Sequence, residues 1–518
     1  MKSRTLIFFI ILLCFPLTVK AQTYPNMHEY QKSPSGTLSA LATNPWNLTS
    51  NSAGMVFNNV FLSDSVSHKS YVSLKGTFRN DTQSNYNGSK MQAAGNLQAF
   101  SVLRINKLYL KGQFEFNYDW DKDATYNGFV SKDFKTPFML TDSIPGNISR
   151  EFYNMGASFA YPLGEHFSLG AELEYKVGIM AKHRDLRNRN TSMDFRISPS
   201  LMFSAAWFRA GVSGGYLRNT EKIEYTQIDG SSEKYLFELQ GLWIGNSYGY
   251  SNANTSRLRS SNTGFAALQI GIQTAPFKLW NELRADFSTD SQEETGYNGQ
   301  RFGDVKGRTL YENLRIDIMD DHSLFFWGSW SDLKGYRFLQ RQELDPQSSV
   351  RVWKTYGDPI YCYQGYIADW GAKYAYRFRD PRSSVNGYVW ASYTSSSINQ
   401  TVDISPARYN LSNTRCTVNL GIRIAFGRKF KHQIVLDQYY TTPLKKAEPA
   451  YDLNESIFLS APANKEITYL NRTSWPLNVL YGLTIPLPKG SLRMDVSAGT
   501  NAAAFKTVNT YLKLSYAW

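Results

Sequence analysis

The sequence predicts an all-β fold: a transmembrane antiparallel β-barrel of about 18 strands, with roughly 16 to 20 allowed, behind a short N-terminal hatch or periplasmic segment. Three observations predict it. Long segments alternate apolar and polar residues with a period of two. The connections between them alternate short and long. Beyond the N-terminal leader, no apolar run reaches the about 20 residues that a membrane-spanning helix needs.

The chain opens with Lys2 and Arg4, then an apolar run from Leu6 to Phe15, then Pro16 and the small-residue ending Val19-Lys20-Ala21. This is the pattern of a secretory signal peptide over residues 1–21. Residues 22–68 are polar and turn-rich, with turn signals at Asn44-Pro45-Trp46-Asn47 and Asn51-Ser52-Ala53-Gly54. They are read as a periplasmic segment or a small hatch in the pore. The barrel is expected over residues 69–518.

Lys107 to Trp120 is the clearest strand. Leu108, Leu110, Phe114, Phe116, Tyr118 and Trp120 share one face, and Tyr109, Lys111, Gln113, Glu115, Asn117 and Asp119 the other. Fourteen residues at about 3.3 Å each span roughly 46 Å, enough to cross the apolar band at a tilt. Phe167 to Ile179 and Phe195 to Phe203 repeat the arrangement. Strands of this length, repeated along the chain, exceed those of a soluble sandwich, which average about five or six residues. The last strand places Leu512, Leu514, Tyr516 and Trp518 on one face, and Tyr511, Lys513, Ser515 and Ala517 on the other. An aromatic end with Tyr two residues earlier resembles the terminal strand signal read by the barrel-assembly machinery.

Tight turns fall at Ile105-Asn106, Pro162 to Glu165, Thr274 to Phe277, Asp320-Asp321, Asp380 to Ser383, Gly427 to Lys429 and Pro488 to Gly490. Longer polar segments lie between them, at 121–148, 183–192, 223–257, 290–305, 338–364 and 442–469. Short periplasmic turns and long outward loops produce this alternation. Tyr235, Phe237, Leu239, Gly241 and Trp243 also alternate, within 223–257, and fit either a hairpin arm of that loop or a further strand.

Aromatics make up 15% of the chain, yet the mean hydropathy is −0.40, as expected when only alternate residues meet lipid. The net charge is +13, three of which (Lys2, Arg4 and Lys20) leave with the leader. No dense basic run points to nucleic acid. The charge fits a basic lumen and loops beside anionic lipid head groups, with attraction of anionic solutes as the sharper alternative. After processing Cys362 and Cys416 remain, and nothing in the sequence requires them to pair. The six histidines (His28, His68, His166, His183, His322 and His432) have no recognisable catalytic partner. Metal-ligand spacings, phosphate loops and calcium loops are not found, so no enzyme activity and no cofactor are expected.

Candidate functional residues are the inward charges Lys111, Glu115, Glu172, Glu174, Lys176, Asp194, Arg196, Arg315 and Asp317. They read either as ion pairs that satisfy one another or as a selectivity path. Trp353, Tyr356, Tyr361 and Tyr363 on the 338–364 loop read as outer aromatics, either for stacking on a partner or as part of the interfacial girdle.

The leader, the Gln22 start, the Asn-Pro-Trp-Asn and Asn-Ser-Ala-Gly-Met segments and the Trp-terminated last strand together resemble a group of uncharacterised outer-membrane barrels from Bacteroidota, which implies location without a substrate. Asn51-Ser52-Ala53-Gly54 also resembles the Asn-Pro-Ala-Gly-like hatch segment of the long-chain fatty-acid transporter family. Here Ser52 stands where that family has Pro, and the strand count is higher, so only the hatch carries over. The expected function is a channel for small solutes across the bacterial outer membrane. The alternative is a non-transport scaffold or accessory subunit of an envelope complex. Outer-membrane lipid, the assembly machinery and envelope proteins are the expected partners.

Overall fold

The computed structural model describes Trp46, Thr49 and residues 51–57, 68–81, 88–131, 136–250, 254–295, 300–319, 321–347, 351–379, 384–404, 407–449, 459–501 and 507–518. The expected leader, residues 1–21, lies outside them.

In chain order the strands are β1 (His68–Asp81), β2 (Met91–Ile105), β3 (Leu108–Ala124), β4 (Phe138–Asp142), β5 (Gly146–Pro162), β6 (Phe167–Lys182), β7 (Arg187–Ser204), β8 (Phe208–Thr226), β9 (Lys234–Gln240), β10 (Gly245–Tyr250), β11 (Asn254–Gln273) and β12 (Phe277–Glu294). They continue with β13 (Arg301–Ile318), β14 (His322–Arg337), β15 (Gln340–Leu344), β16 (Arg351–Thr355), β17 (Ile360–Arg379), β18 (Asn386–Ile404), β19 (Ala407–Phe426), β20 (Lys431–Pro449), β21 (Pro476–Leu487), β22 (Gly490–Asn501) and β23 (Thr507–Ala517). A 3-10 turn, Ser52–Met55, precedes β1, and helix α1 (Ser460–Leu470) lies between β20 and β21.

Eighteen of these strands form one sheet, each antiparallel to its neighbours in the chain. β23 pairs with β1 and closes the sheet on itself, with Tyr71 opposite Ala517 and Leu74 opposite Leu514. The 18-stranded barrel expected from the alternation is therefore the observed fold. Its wall sorts side chains by parity. On β6, Phe167, Leu169 and Leu173 face out and are exposed, while Ser168, Gly170 and Glu172 face in and are buried. With 16 residues at about 3.3 Å each, β6 is roughly 53 Å long and crosses a ~25 Å apolar band even when tilted. Aromatic residues cluster outside at the turn end, where His322 Nδ1 lies 2.7 Å from the Tyr374 hydroxyl and His432 Nδ1 2.8 Å from that of Tyr481.

One end of the barrel carries tight turns. That between β2 and β3 rests on Asn106 at φ 55°, a left-handed conformation that Asn tolerates better than most residues. The other end carries the long connections. Several segments read as loops are largely strand: β7 starts at Arg187 and β13 at Arg301. Polar strands rise past the lipid band because their inward residues find partners there, so polarity does not mark where pairing stops.

The alternating segment 235–243 is not a barrel strand. It forms β9 in a separate three-stranded sheet, β10-β9-β4, built from two loops. Tyr361 and Tyr363, expected on a loop, lie in β17. The register shifts at Gly335/Tyr336, where β17 carries Cys362 as an extra residue. This bulge leaves Tyr361 exposed and turns Tyr363 into the interior. Trp353 and Tyr356 do lie in the outer connection, on and just after the hairpin β15–β16. Cys362 and Cys416 are both buried free thiols.

Leu173, midway along β6, faces lipid. Leu173→Arg should cost about 2–4 kcal/mol, the depth-dependent penalty for a cation on the lipid face of a barrel. Urea titration of the protein folded into phospholipid vesicles measures it, and an unchanged midpoint would place Leu173 off the lipid face.

Candidate functional site

The lumen is the only large internal space that an 18-stranded wall encloses, and side chains alone do not fill so wide a barrel. In this protein, chain from both ends enters it.

At the turn end, the 3-10 turn Ser52–Met55 lies inside the barrel with all four residues buried. Ala53 N–H donates to Ser200 Oγ at 3.1 Å, and Ser168 Oγ donates to Ala53 O at 2.9 Å. Asn51 Nδ2 donates to Gln269 Oε1 at 3.0 Å and to Leu201 O at 3.2 Å. Gln269 in turn donates to Glu282 at 3.0 Å. Trp46 packs with Met202 and Trp280. The approach is close: a Cβ at Gly170 would sit 2.4 Å from Ala53 N. Only glycine leaves room for backbone against backbone there.

At the loop end, the β3–β5 and β8–β11 connections fold inward as the sheet β10-β9-β4. Polar tethers hold it on one side. Lys182 Nζ donates to Asp142 Oδ1 at 2.5 Å. Burial pushes the Asp142 carboxyl above the ordinary carboxylate range, against Lys182 and the Ile144 amide, which pull it down. Arg150 pairs with Asp121 and donates to Asn127 Oδ1 at 2.8 Å. Glu221 accepts from Val130 N–H at 2.7 Å, and Arg257 donates to Glu238 at 2.6 Å. On the far side the contact is apolar: Phe138, Leu242 and Ile244 pack with Tyr363, Val402, Tyr409, Leu411 and Leu470. Helix α1 is tied in by Trp243 Nε1, which donates to Glu466 Oε2 at 2.5 Å.

The contacts of both covers described above fall on β5 to β20 and the loop-end tip of β3. The wall β23–β1–β2–β3 carries instead a polar cleft of about 290 Å³, lined by Lys75, Thr77, Ala94, Asn96, Gln98, Glu115, Asn117 and Lys513. The strands beside it are also short: β21, β22 and β23 have 12, 12 and 11 residues, against 20 in β11, β17 and β19.

The inward charges read from the sequence separate into groups. Lys111, Glu172, Glu174 and Arg196 form one mid-lumen network, with Lys111–Glu172 at 3.4 Å, Arg196–Glu172 at 3.5 Å and Arg196–Glu174 at 3.4 Å. Lys176 lies over the Phe152 ring at 4.7 Å, and Asp194 accepts from Asn219. Arg315 and Asp317 pair with each other at 2.9 Å, away from that network. Glu115 alone lines the cleft, where it accepts from Asn96 at 2.7 Å. Leu512, Leu514 and Trp518 are exposed on the outer face at the closing strand.

The residues that tether the covers, and Lys75 and Lys513, were not singled out from the sequence. Parity alone puts Lys513 on the polar face of the last strand. No local signal reveals which inward residues meet a cover.

A closed antiparallel barrel, apolar outside and polar within, satisfies every backbone group in hydrocarbon and faces water along its axis. The fold and lumen thus define a bacterial outer-membrane β-barrel protein. The chain belongs to DUF6850, a family of unknown function, whose sequence pattern matches residues 59–516. No curated protein matches it in sequence. Solved structures similar in outline include BauA, the ferric preacinetobactin receptor from Acinetobacter baumannii, at 9% identity over 87% of this chain and 80% of that one, with a TM-score of 0.40. The copper transporter OprC aligns at 8% identity over 87% and 80%, with a TM-score of 0.40. The outer membrane transporter YddB from Escherichia coli aligns at 9% identity over 86% and 80%, with a TM-score of 0.39. These likenesses bear on neither solute nor mechanism.

Two substitutions test the covers. Gly170→Val should expel the turn 52–55, so that the Ala53 amide exchanges hydrogen faster while the barrel keeps its heat-dependent gel mobility. Unchanged exchange would show that the turn does not depend on this approach. Lys182→Met leaves Asp142 buried without its cation, at a cost of up to about 3–5 kcal/mol. That cost falls on the docked sheet, so amides of residues 138–142 should exchange faster than in the parent. Equal rates would remove Lys182 as an anchor.

Proposed function

We propose that this protein is a non-enzymatic, gated channel for small polar solutes across the outer membrane. The observation that carries the reading is the polar cleft on the β23–β3 side, beside a lumen whose other walls are covered. Solute passes along that wall. The turn 52–55 acts as a hatch at the turn end, and the sheet β10-β9-β4 as a gate at the loop end. The likeness of Asn51-Ser52-Ala53-Gly54 to the hatch segment of long-chain fatty-acid transporters supports the first of these roles.

Both covers are suited to move. Most of their hydrogen bonds go to lumen side chains that water can satisfy once a cover leaves, so displacement exchanges bonds instead of abandoning them. The envelope-scaffold alternative drew on Trp353, Tyr356, Tyr361 and Tyr363 as a set. With Tyr363 buried beneath the loop-end cover, those aromatics do not form one exposed patch. The outward row Leu512, Leu514, Tyr516 and Trp518 is assigned to recognition by the assembly machinery.

Planar-bilayer recording tests the channel, using the folded protein and a variant lacking residues 22–57. The intact protein should conduct in brief, small steps, and the deletion should raise the conductance several-fold. Silence from both proteins, each shown to be folded by heat-dependent mobility, would sink the proposal.

A further inference from the structure

The cleft is chemically lopsided. Lys75 on β1 and Lys513 on β23 are directly opposite each other in the strand register, and both line it. Like charges directly opposite on neighbouring strands disfavour pairing. These two sit at the closing seam of the barrel, where pairing matters most.

The nearby carboxylates offset them only in part. Asp495 is opposite Lys513 on β22, but Arg493 Nε donates to both of its oxygens, at 3.0 and 2.9 Å. Glu115 is engaged by Asn96 at 2.7 Å. Among the described residues, neither lysine forms an ion pair. The Lys75 ammonium lies 4.8 Å from the centre of the Tyr511 ring. The lining thus sets two lysines against one glutamate.

The neutral groups of the cleft complement that charge. Asn96 Nδ2 also donates to Asn117 Oδ1 at 2.6 Å, and Asn117, which lines the cleft, brings an amide N–H₂ to that lining. Gln98 and Thr77 complete the polar lining. Two ammonium groups with amide and hydroxyl donors match an acceptor with several oxygens and a negative charge.

We propose that Lys75 and Lys513 form a binding station for a small oxyanion, the carboxylate or phosphate group of a solute in transit. The inference rests on the channel reading for the word transit, and on the cleft alone for the binding. A bound oxyanion relieves the repulsion between the lysines, and lumen water lets it leave again.

Calorimetric titration of the folded protein in nonionic detergent at low ionic strength, with inorganic phosphate and separately with succinate, reads the station without requiring conduction. Lys75→Gln and Lys513→Gln should each weaken binding about tenfold, as expected for loss of one charge-assisted contact. The double variant should lose binding, and Lys75→Arg should retain it. The variants remove like charges from the seam, so barrel folding should persist, and heat-dependent mobility checks it. Phosphate bound in preference to succinate supports phosphorylated solutes, and the reverse order supports carboxylates. Equal titration of the parent and the double variant, or no titration of the parent, overturns the station and leaves the channel standing. In the bilayer, the double variant should lower the anion-to-cation permeability ratio. Silence there with binding intact would overturn the channel and leave the station.

Discussion

Pairing between the first and last barrel strands is the constraint on which the rest depends. A strand edge in hydrocarbon would strand a row of N–H and C=O groups with no water to meet them. The seam removes that edge: Ser70 N–H donates to Trp518 O at 2.9 Å, and Trp518 N–H to Ser70 O at 3.0 Å. Closure commits every strand to one face in lipid and one in the lumen. With 18 strands the lumen is too wide for its own side chains to fill, so it must hold water or chain. In this barrel the described chain enters against β5 to β20.

The two sides differ in how many charged and amide tethers they add to an apolar contact. The covers meet β5 to β12 through charges and amides, such as Glu221 to Val130 and Lys182 to Asp142, set among apolar groups around Tyr225 and Trp280, and meet β13 to β20 through the apolar group around Tyr363 and Val402. Burying a charge without a partner is expensive, so the tethers fix where the covers dock. The apolar contact contributes the net attraction, because it alone is lost to water without replacement. A cover built this way docks specifically yet is released by anything that wets its apolar contacts.

Much of the barrel was legible because its rule is local. Parity in Leu108 to Trp120 or Phe167 to Ile179 shows which face meets lipid, and alternating short and long connections give the strand count. Where the covers dock was illegible because their partners are remote: Val130 and Glu221 are 91 residues apart, and Asn51 and Gln269 are 218 apart. The period of two in 235–243 was real, but periodicity does not say which strand a segment pairs with. Likewise, the two-residue step from Tyr361 to Tyr363 predicts one shared face. The bulge at Cys362 breaks that inference without leaving a mark in the sequence.

The distribution of charge along the wall follows from the same division. Where a cover docks, inward ions are paired or hydrogen-bonded, as with Arg150 and Asp121 or Glu282 and Gln269. Mid-lumen, Lys111, Glu172, Glu174 and Arg196 satisfy one another. At the seam two like charges, Lys75 and Lys513, face each other across paired strands and both line the polar cleft. An unpaired ammonium is tolerable where water reaches it and costly where it does not. Lys75 and Lys513 can therefore lack carboxylate partners because they line an open polar cleft. Water is also what a solute must follow, so the side with unspent charge is the side a solute would meet.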